Sequence, residues 1–174
     1  MVSKVVQIVL RVWEFLWTLL VMALVGNMIS ESFAGNPSTV NYTMFVSAFS
    51  MFTLLYLIPA TIKPDWAIHP IIVIALDTLN AIFFLTSGIA LAAKLEAHSC
   101  SNDLYTLNNE ITNGSVHREK RCREAQASTA FLWFAWFGYT LSMILSIIGS
   151  RGGANLRGRT GPARGNGRPS MAQV

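Results

Sequence analysis

Long apolar runs separated by short polar stretches dominate the pattern of this chain. Four of them reach the roughly 20 predominantly apolar residues that a helix needs to cross a bilayer. They cover about 5–29, 42–62, 68–93 and 125–148. The pattern therefore predicts an all-α membrane protein built as a four-transmembrane-helix bundle.

Composition agrees with this interpretation and excludes other classes. The 174 residues are 52% hydrophobic and 13% charged, whereas a soluble domain carries about 25% charged residues. The same values exclude disorder for most of the chain. The net charge is +4, and most of the charged residues lie beside and between the apolar runs. We therefore expect a lipid bilayer and no nucleic acid as the partner.

The expected organisation is one membrane domain over 1–149 and a polar tail over 150–174. The alternative for the first run is a cleaved signal peptide, because Ser32-Phe33-Ala34 offers small residues to a peptidase. Its apolar stretch exceeds the roughly 7–15 residues of a signal core. A retained first helix is therefore favoured, and cleavage would leave three spans.

The placement of basic residues favours cytosolic termini. Lys4 precedes the first run, Lys63 follows the second, and the first loop, 30–41, carries no Lys or Arg. The loop over 94–124 holds five basic residues, which opposes this orientation, but the count with Arg11 is 8 to 5 in its favour. Five arginines also follow the fourth run: Arg151, Arg157, Arg159, Arg164 and Arg168.

The expected extracellular loop, 94–124, holds the only two cysteines, Cys100 and Cys122, and the glycosylation sequon at Asn113. Both features suit an oxidising, glycosylating lumen. A disulfide would contribute roughly 3 kcal/mol in the chain-entropy model. Free thiols are one alternative, and a zinc site with His98 and His117 is another, although the spacing fits no standard zinc finger. The disulfide is favoured.

Asp77 lies inside the third apolar run. A carboxylate there costs at least about 2.5–3.5 kcal/mol, so it needs a protein partner. Asn80 and Gly88 share its helical face, and Gly88 permits close approach. Arg11 lies about 10 Å into the first run and Asp77 about 12 Å into the third from the same side. We therefore predict an intramembrane polar pair of Arg11 and Asp77, with Asn80 beside it.

Two interpretations of that polar group remain. A structural ion pair that fixes helix register is favoured. The alternative is a proton relay or substrate site, as in a small transporter or channel using Asp77. Transporters normally show more than one intramembrane acid and helices broken at the midplane.

The fourth run carries Gly138, Ser142 and Ser146 at four-residue spacing. Such a small-residue face lets helices approach closely. We expect it to pack within the monomer, with a homo-oligomer seam as the alternative. Aromatic residues crowd the same run, where sterol or sphingolipid contact is the alternative to simple hydrophobic filling. They are Phe131, Trp133, Phe134, Trp136, Phe137 and Tyr139.

Motifs of enzyme chemistry are absent from the sequence. It contains no GxGxxG, P-loop, HExxH or CxxC motif. The three histidines fall at helix ends or in a loop, and no catalytic triad is evident. We expect no enzymatic activity, no cofactor and no metal.

Several stretches together resemble the fungal non-classical export protein 2 family of MARVEL-domain tetraspans. They are Val40-Asn-Tyr-Thr-Met-Phe45, Leu76-Asp-Thr-Leu-Asn-Ala-Ile-Phe83, Ala97-His-Ser-Cys100, Arg121-Cys-Arg-Glu-Ala-Gln-Ala127 and Ser170-Met-Ala-Gln-Val174. The resemblance covers the chain from the first helix to the C-terminus. Glu14, Asn113 and 116–120 fall outside the family pattern.

The resemblance implies a plasma-membrane protein of furrow-like microdomains above eisosomes. It also implies roles in eisosome assembly, in the response to sphingolipid level and in export of proteins lacking signal peptides. Eisosome coat proteins are then the expected protein partners. The tail, with its five arginines and no acid, is expected to be disordered in isolation and to contact anionic lipid.

Overall fold

The structure, a computed structural model, describes residues 4–33, 35–63, 66, 70–96 and 98–157, with the backbone alone for Pro70 and 151–157. The regular structure of these residues is entirely helical. Its helices are α1 (Lys4–Ser30), α2 (Ser38–Ile62), α3 (Pro70–Leu95), α4 (Asp103–Asn108) and α5 (Arg118–Arg157).

Four of these helices are long and apolar enough to cross a membrane: α1, α2, α3 and α5. The predicted four-helix membrane fold is thereby confirmed. Within the described part of the chain, α1 packs against α2 and α5, and α3 packs against the same two helices. The helices therefore form a ring in the order α1, α2, α3, α5.

The fourth membrane helix is longer than its apolar run, because α5 begins at Arg118 and continues to Arg157. Hydropathy marks only the part of a helix that suits lipid, whereas Arg, Glu and Lys continue a helix readily in water. The loop expected over 94–124 is correspondingly shorter. It also contains α4, which Asn102 caps by accepting a hydrogen bond from the Tyr105 N–H.

The bundle has two chemically different ends. The disulfide end contains 31–33, 35–37 and 98–117. A hydrogen bond from the Phe33 N–H to the Gly114 carbonyl (3.2 Å) joins the first of these segments to the last. The opposite end, called the terminal end below, is where α1 begins, α2 ends and α3 begins. The apolar interior lies between them. It includes Val21, Val25, Leu54, Leu57, Phe84, Leu91 and Leu132.

Two glycines lie where α5 packs against its neighbours, Gly138 against α1 and Gly88 at the contact with α3. A methyl group added at Gly138 would lie 2.8 Å from Trp13 Cδ1 and 3.3 Å from Glu14 Cγ, so α1 sits directly on this position. A methyl group added at Gly88 would lie no closer than 3.6 Å, to Trp133. Gly138 therefore sets the α1–α5 distance, whereas the α3–α5 contact at Gly88 leaves room for a methyl group.

We expect Gly138→Ala to destabilise the bundle by about 1–3 kcal/mol, the usual cost of overpacking. Gly88→Ala is the matched control and should change stability by no more than about 0.5 kcal/mol. Thermal unfolding of both purified variants in the same detergent compares them. Equal shifts in the two melting temperatures would contradict the role assigned to Gly138.

Candidate functional site: a buried charge cluster and a cross-linked end

Arg11 and Asp77 lie in direct contact inside the bundle. Arg11 Nη1 donates to Asp77 Oδ1 at 2.6 Å and Nη2 donates to Oδ2 at 2.9 Å. Arg11 is 5% exposed and Asp77 is fully buried. Two parallel N–H···O bonds fix the relative orientation of both side chains, so the contact holds α1 and α3 in one register.

Glu14 is a third member of the cluster. It accepts a hydrogen bond from Arg11 Nη1 at 2.7 Å and another from the Ser142 hydroxyl at 2.5 Å. Thr61 connects α2 to the same group, because its Oγ1 accepts a hydrogen bond from Arg11 Nε at 3.3 Å. The charge cluster, defined here as Arg11, Glu14, Thr61, Asp77 and Ser142, therefore joins all four membrane helices at one level.

Both carboxyl groups of the cluster are enclosed by protein. Glu14 and Asp77 are fully buried, and both oxygens of each carboxyl group have protein donors. Breaking such a pair leaves an uncompensated buried charge, whereas the intact pair adds little net stability. Its chemistry is thus suited to specifying how the helices align.

Asn80 lies away from this cluster. Its Nδ2 donates to Thr53 Oγ1 and to the Leu76 carbonyl, both at 2.9 Å. The sequence placed Asn80 beside the Arg11–Asp77 pair, but the structure gives it a separate contact between α3 and α2. A shared helix face does not fix a shared partner, because residues three apart lie about 4.5 Å apart along the axis.

Hydroxyl groups continue the polar contacts deeper into the bundle. Ser50 on α2 bonds Tyr139 on α5 at 2.5 Å and Thr18 on α1 at 3.3 Å. Ser87 on α3 donates to Thr43 on α2 at 2.9 Å. Such interhelical hydrogen bonds average roughly 0.6 kcal/mol in membranes, so they specify packing more than they stabilise it.

The small-residue face of α5 is used inside the monomer. Gly138 lies against Trp13 and Glu14, and Ser142 bonds Glu14. Ser146 is partly buried near the terminal end. Gly138 and Ser142 therefore serve the α1–α5 contact.

Cys100 and Cys122 are joined as a disulfide, with their Cα atoms 5.6 Å apart. The bond ties the segment after α3 to the first turns of α5. It also consumes both thiols that the zinc alternative requires. His98 instead contacts Glu96 at 3.1 Å. Asn113, which lies between the two cysteines in the sequence, is exposed.

We expect thiol alkylation under denaturing, non-reducing conditions to label neither cysteine. Reduction should then lower stability by roughly 3 kcal/mol for a bridge of this sequence separation, 22 residues. Mass spectrometry reads the first result and thermal unfolding with and without reductant reads the second. A Cys100→Ser/Cys122→Ser variant, whose melting temperature should not respond to reductant, is the control. Full labelling of both cysteines before reduction would contradict the pairing.

Arg121 is the residue that sequence reasoning missed at the disulfide end. It is fully buried and donates to the Ile111 carbonyl at 2.6 Å, to the Met28 carbonyl at 2.7 Å and to Asn36 Oδ1 at 3.0 Å. In the sequence it is one of several charges in 118–124. Its position next to Cys122, at the start of the Arg121–Ala127 stretch, is the signal that could have distinguished it.

An ion pair and a hydrogen bond also connect helices at the disulfide end. Lys120 Nζ lies 2.5 Å from Glu31 Oε1, and this hydrogen bond holds the pKa of Glu31 below its usual value. Asn27 Nδ2 donates to Glu124 at 2.7 Å. The Glu31 contact weakens as acid protonates the carboxylate, but exposed pairs contribute little.

Tyr105 connects α4 to the end of α3, because its hydroxyl donates a hydrogen bond to the Leu95 carbonyl. Burial raises the pKa of Tyr105, and the nearby Glu96 charge adds to the shift. The hydroxyl therefore stays protonated and remains a donor at physiological pH.

The tail arginines cannot be placed in the same way. Arg151 and Arg157 belong to the end of α5, for which the backbone alone is described. Arg159, Arg164 and Arg168 lie outside the described residues.

Comparison with known families decides the identity of the fold. Residues 4–145 match the MARVEL membrane-associating domain. The chain belongs to the MARVEL family. This match spans all four membrane helices, from the start of α1 into the second half of α5.

Curated relatives of this MARVEL protein are named as non-classical export proteins. Non-classical export protein 2 of Saccharomyces cerevisiae is 36% identical over 95% of this chain and 96% of its own length. Non-classical export protein 102 of Candida albicans is 34% identical over 97% of both chains. The non-classical export protein 2 homolog of Schizosaccharomyces pombe is 29% identical over 80% of this chain and 75% of its own length. No solved structure matches the chain.

Proposed function

We propose that this MARVEL protein is a non-enzymatic organiser of furrow-like plasma-membrane microdomains. In this role it supports eisosome assembly and the response to sphingolipid level, and it contributes to export of proteins that lack signal peptides. The names of its relatives support the export role. Full-length similarity to them supports carrying that role over.

One structural observation carries the proposal. The buried charges of the cluster are paired with one another between α1 and α3, and hydroxyl groups of α2 and α5 complete their contacts. Large apolar side chains such as Phe52 and Leu55, both 74% exposed, cover the outside. A bundle of this kind offers its surface to lipid and neighbouring proteins rather than a polar path to a solute. It therefore fits a structural role in the membrane.

The proposed orientation puts the disulfide end outside the cell and both termini in the cytosol. A disulfide persists in an oxidising compartment, and the exposed Asn113 sequon suits the same side. Ionic contact between the tail arginines and anionic lipid then lies on the cytosolic leaflet, where each basic residue contributes about 1 kcal/mol. In this proposal the tail couples the bundle to eisosome coat proteins.

Live-cell imaging of a tagged full-length chain tests the proposal, and patches are the expected pattern. A variant with Arg151, Arg157, Arg159, Arg164 and Arg168 changed to Gln should insert normally and lose the patches, since five charges contribute roughly 5 kcal/mol at most. Changing five uncharged tail residues to Gln, such as Asn155, Thr160, Asn166, Ser170 and Met171, is the matched control. Uniform staining by the unmodified chain would overturn the microdomain role. Normal patches in the arginine variant would limit the tail to a topology signal.

The transporter alternative is tested separately. Asp77 contacts Arg11 through both oxygens, which favours the structural role. Flux of protons or small solutes into liposomes should be the same with unmodified protein, with Asp77→Asn and with empty vesicles. Flux that depends on Asp77 would establish the transporter instead.

A further inference from the structure

Asn113 differs from its neighbours in exposure. Ile111, Thr112, Gly114 and Ser115 are buried, whereas the side chain between them, Asn113, is exposed. A sugar is bulky and hydrophilic and belongs on the surface of a protein. A glycan attached to the Asn113 amide would extend into solvent, so the folded loop can carry one at this position.

The other essential residue of the sequon is inaccessible in the folded chain. Ser115 is 1% exposed, and its Oγ accepts a hydrogen bond from the His117 N–H at 3.1 Å. N-glycosylation requires a Ser or Thr two residues after the Asn, so the oligosaccharyltransferase must reach both side chains. It cannot reach the Ser115 hydroxyl once this loop has folded.

Packing against the start of α5 holds Ser115 in its enclosed position. The preceding residue, Gly114, lies so close to α5 that a methyl group added to it would be 3.5 Å from Arg121 Nη2. Cys122, the next residue after Arg121, is bonded to Cys100. The disulfide therefore fixes the turn of α5 against which the sequon packs.

The order of synthesis puts the sequon ahead of the bridge. Asn113 and Ser115 precede Cys122 in the chain. At about 5–20 residues per second, Cys122 is added about 0.5–2 seconds after Asn113. Disulfide formation then takes seconds or longer. The sequon is thus open to the transferase for a limited time before the bridge closes.

We propose that Asn113 receives an N-linked glycan while this loop is still unfolded, and that closure of the Cys100–Cys122 bridge ends its access to the transferase. The inference rests on the proposed orientation, which places the disulfide end in the lumen during synthesis. The co-reactant is a lipid-linked oligosaccharide diphosphate. Asn113 Nδ2 forms a bond to the anomeric carbon, the bond from that carbon to the phosphate oxygen breaks, and the amide gives up one proton as the lipid diphosphate leaves.

A second sequon, at Asn41, provides a contrast within the same chain. Asn41 is exposed, but it lies in the first turns of α2, a membrane helix that begins at Ser38. Its hydroxyl partner, Thr43, is fully buried, donates to the Thr39 carbonyl at 2.8 Å and accepts from Ser87 at 2.9 Å. We expect Asn41 to remain without a glycan, because its sequon belongs to the membrane helix itself.

Glycosylation of the purified full-length chain tests the order of events. Protein made in bacteria carries no N-linked glycan and is purified in detergent with its disulfide intact. It is then incubated with oligosaccharyltransferase and a lipid-linked oligosaccharide. The oxidised chain should accept sugar at least about tenfold more slowly than the reduced chain, because the sequon must first open locally.

A Cys100→Ser/Cys122→Ser variant is the matched control. It should accept sugar as fast as the reduced chain, with or without reductant, which separates the bridge from any effect of reductant on the transferase. Asn113→Gln in the same background should abolish acceptance. A peptide covering 109–119 shows that the transferase is active.

Two results of this experiment would overturn the role of the bridge. Equal rates for the oxidised and reduced chains would show that the disulfide does not close the sequon. Acceptance by the peptide but not by the reduced chain would assign the closure to loop packing alone. Neither result depends on the orientation of the protein in a membrane.

Expression in a eukaryotic cell tests the site together with its orientation. An endoglycosidase should shift the full-length chain and Asn41→Gln by one glycan and leave Asn113→Gln unchanged. A C-terminal tag that carries its own sequon reports the reverse orientation. A glycan on the tag and none on Asn113 would overturn the proposed orientation. No glycan on either would overturn the Asn113 site alone.

Discussion

Asp77→Ala is expected to lower the stability of the bundle by about 3–5 kcal/mol, the usual cost of removing one partner of a buried pair. Asp77 is fully buried and takes two hydrogen bonds from Arg11. Arg11→Ala should be at least as harmful, because it leaves both Glu14 and Asp77 without their cation. Thermal unfolding in detergent and the fraction delivered to the cell surface measure the effect.

Two controls separate this effect from a general sensitivity to mutation. Asp103→Ala removes an exposed acid in the first turn of α4 and should cost about 0.5 kcal/mol or less. The double variant of Arg11 and Asp77 should be less destabilised than the sum of the single variants, since the two side chains are in contact. Strict additivity would show that their contact carries no interaction energy.

Arg121→Ala should produce a defect of similar size at the other end of the molecule. The change leaves the Ile111 and Met28 carbonyls and the Asn36 side chain without their donor. Each buried acceptor left unsatisfied costs about 1–3 kcal/mol. Arg121→Lys should rescue little, because an ammonium cannot reproduce the planar fork of donors.

Arg123→Ala is the matched control for Arg121. Arg123 is two residues away, is exposed, and pairs with Glu119 at 2.6 Å on the helix surface. Such a pair contributes about 0.3–0.5 kcal/mol. If the two variants lost the same stability, the buried guanidinium would have no special part in holding the disulfide end together.

The sequence by itself determined the number and nature of the membrane helices. Each membrane helix is longer than the roughly 20 predominantly apolar residues that a bilayer needs, so hydropathy alone identifies it. The inward face of α3 was also readable, since Asp77, Asn80 and Phe84 recur at helical spacing and are all fully buried. A charge in hydrocarbon must face protein, which made Asp77 informative without any structure.

Beyond the Arg11–Asp77 and Cys100–Cys122 contacts, which the sequence predicts, the tertiary structure decided which groups meet. Glu14 shares a helix face with Arg11, but its bond to Ser142 depends on α5 lying against α1 at Gly138. Asn80 shares a face with Asp77 and yet bonds Thr53 on α2. Helical periodicity gives the direction of a side chain and not the residue opposite it, because that depends on the rotation and axial shift of a second helix.

Arg121 shows the same limit most clearly. In the sequence it belongs to a charged run that continues a helix into water, and neighbours such as Arg123 do remain exposed. Its burial arises because the end of α1, the first loop and the segment before α5 converge on one side of that helix and present carbonyl oxygens there. No local property of the chain encodes those carbonyls, since they belong to residues 10 and 93 positions away.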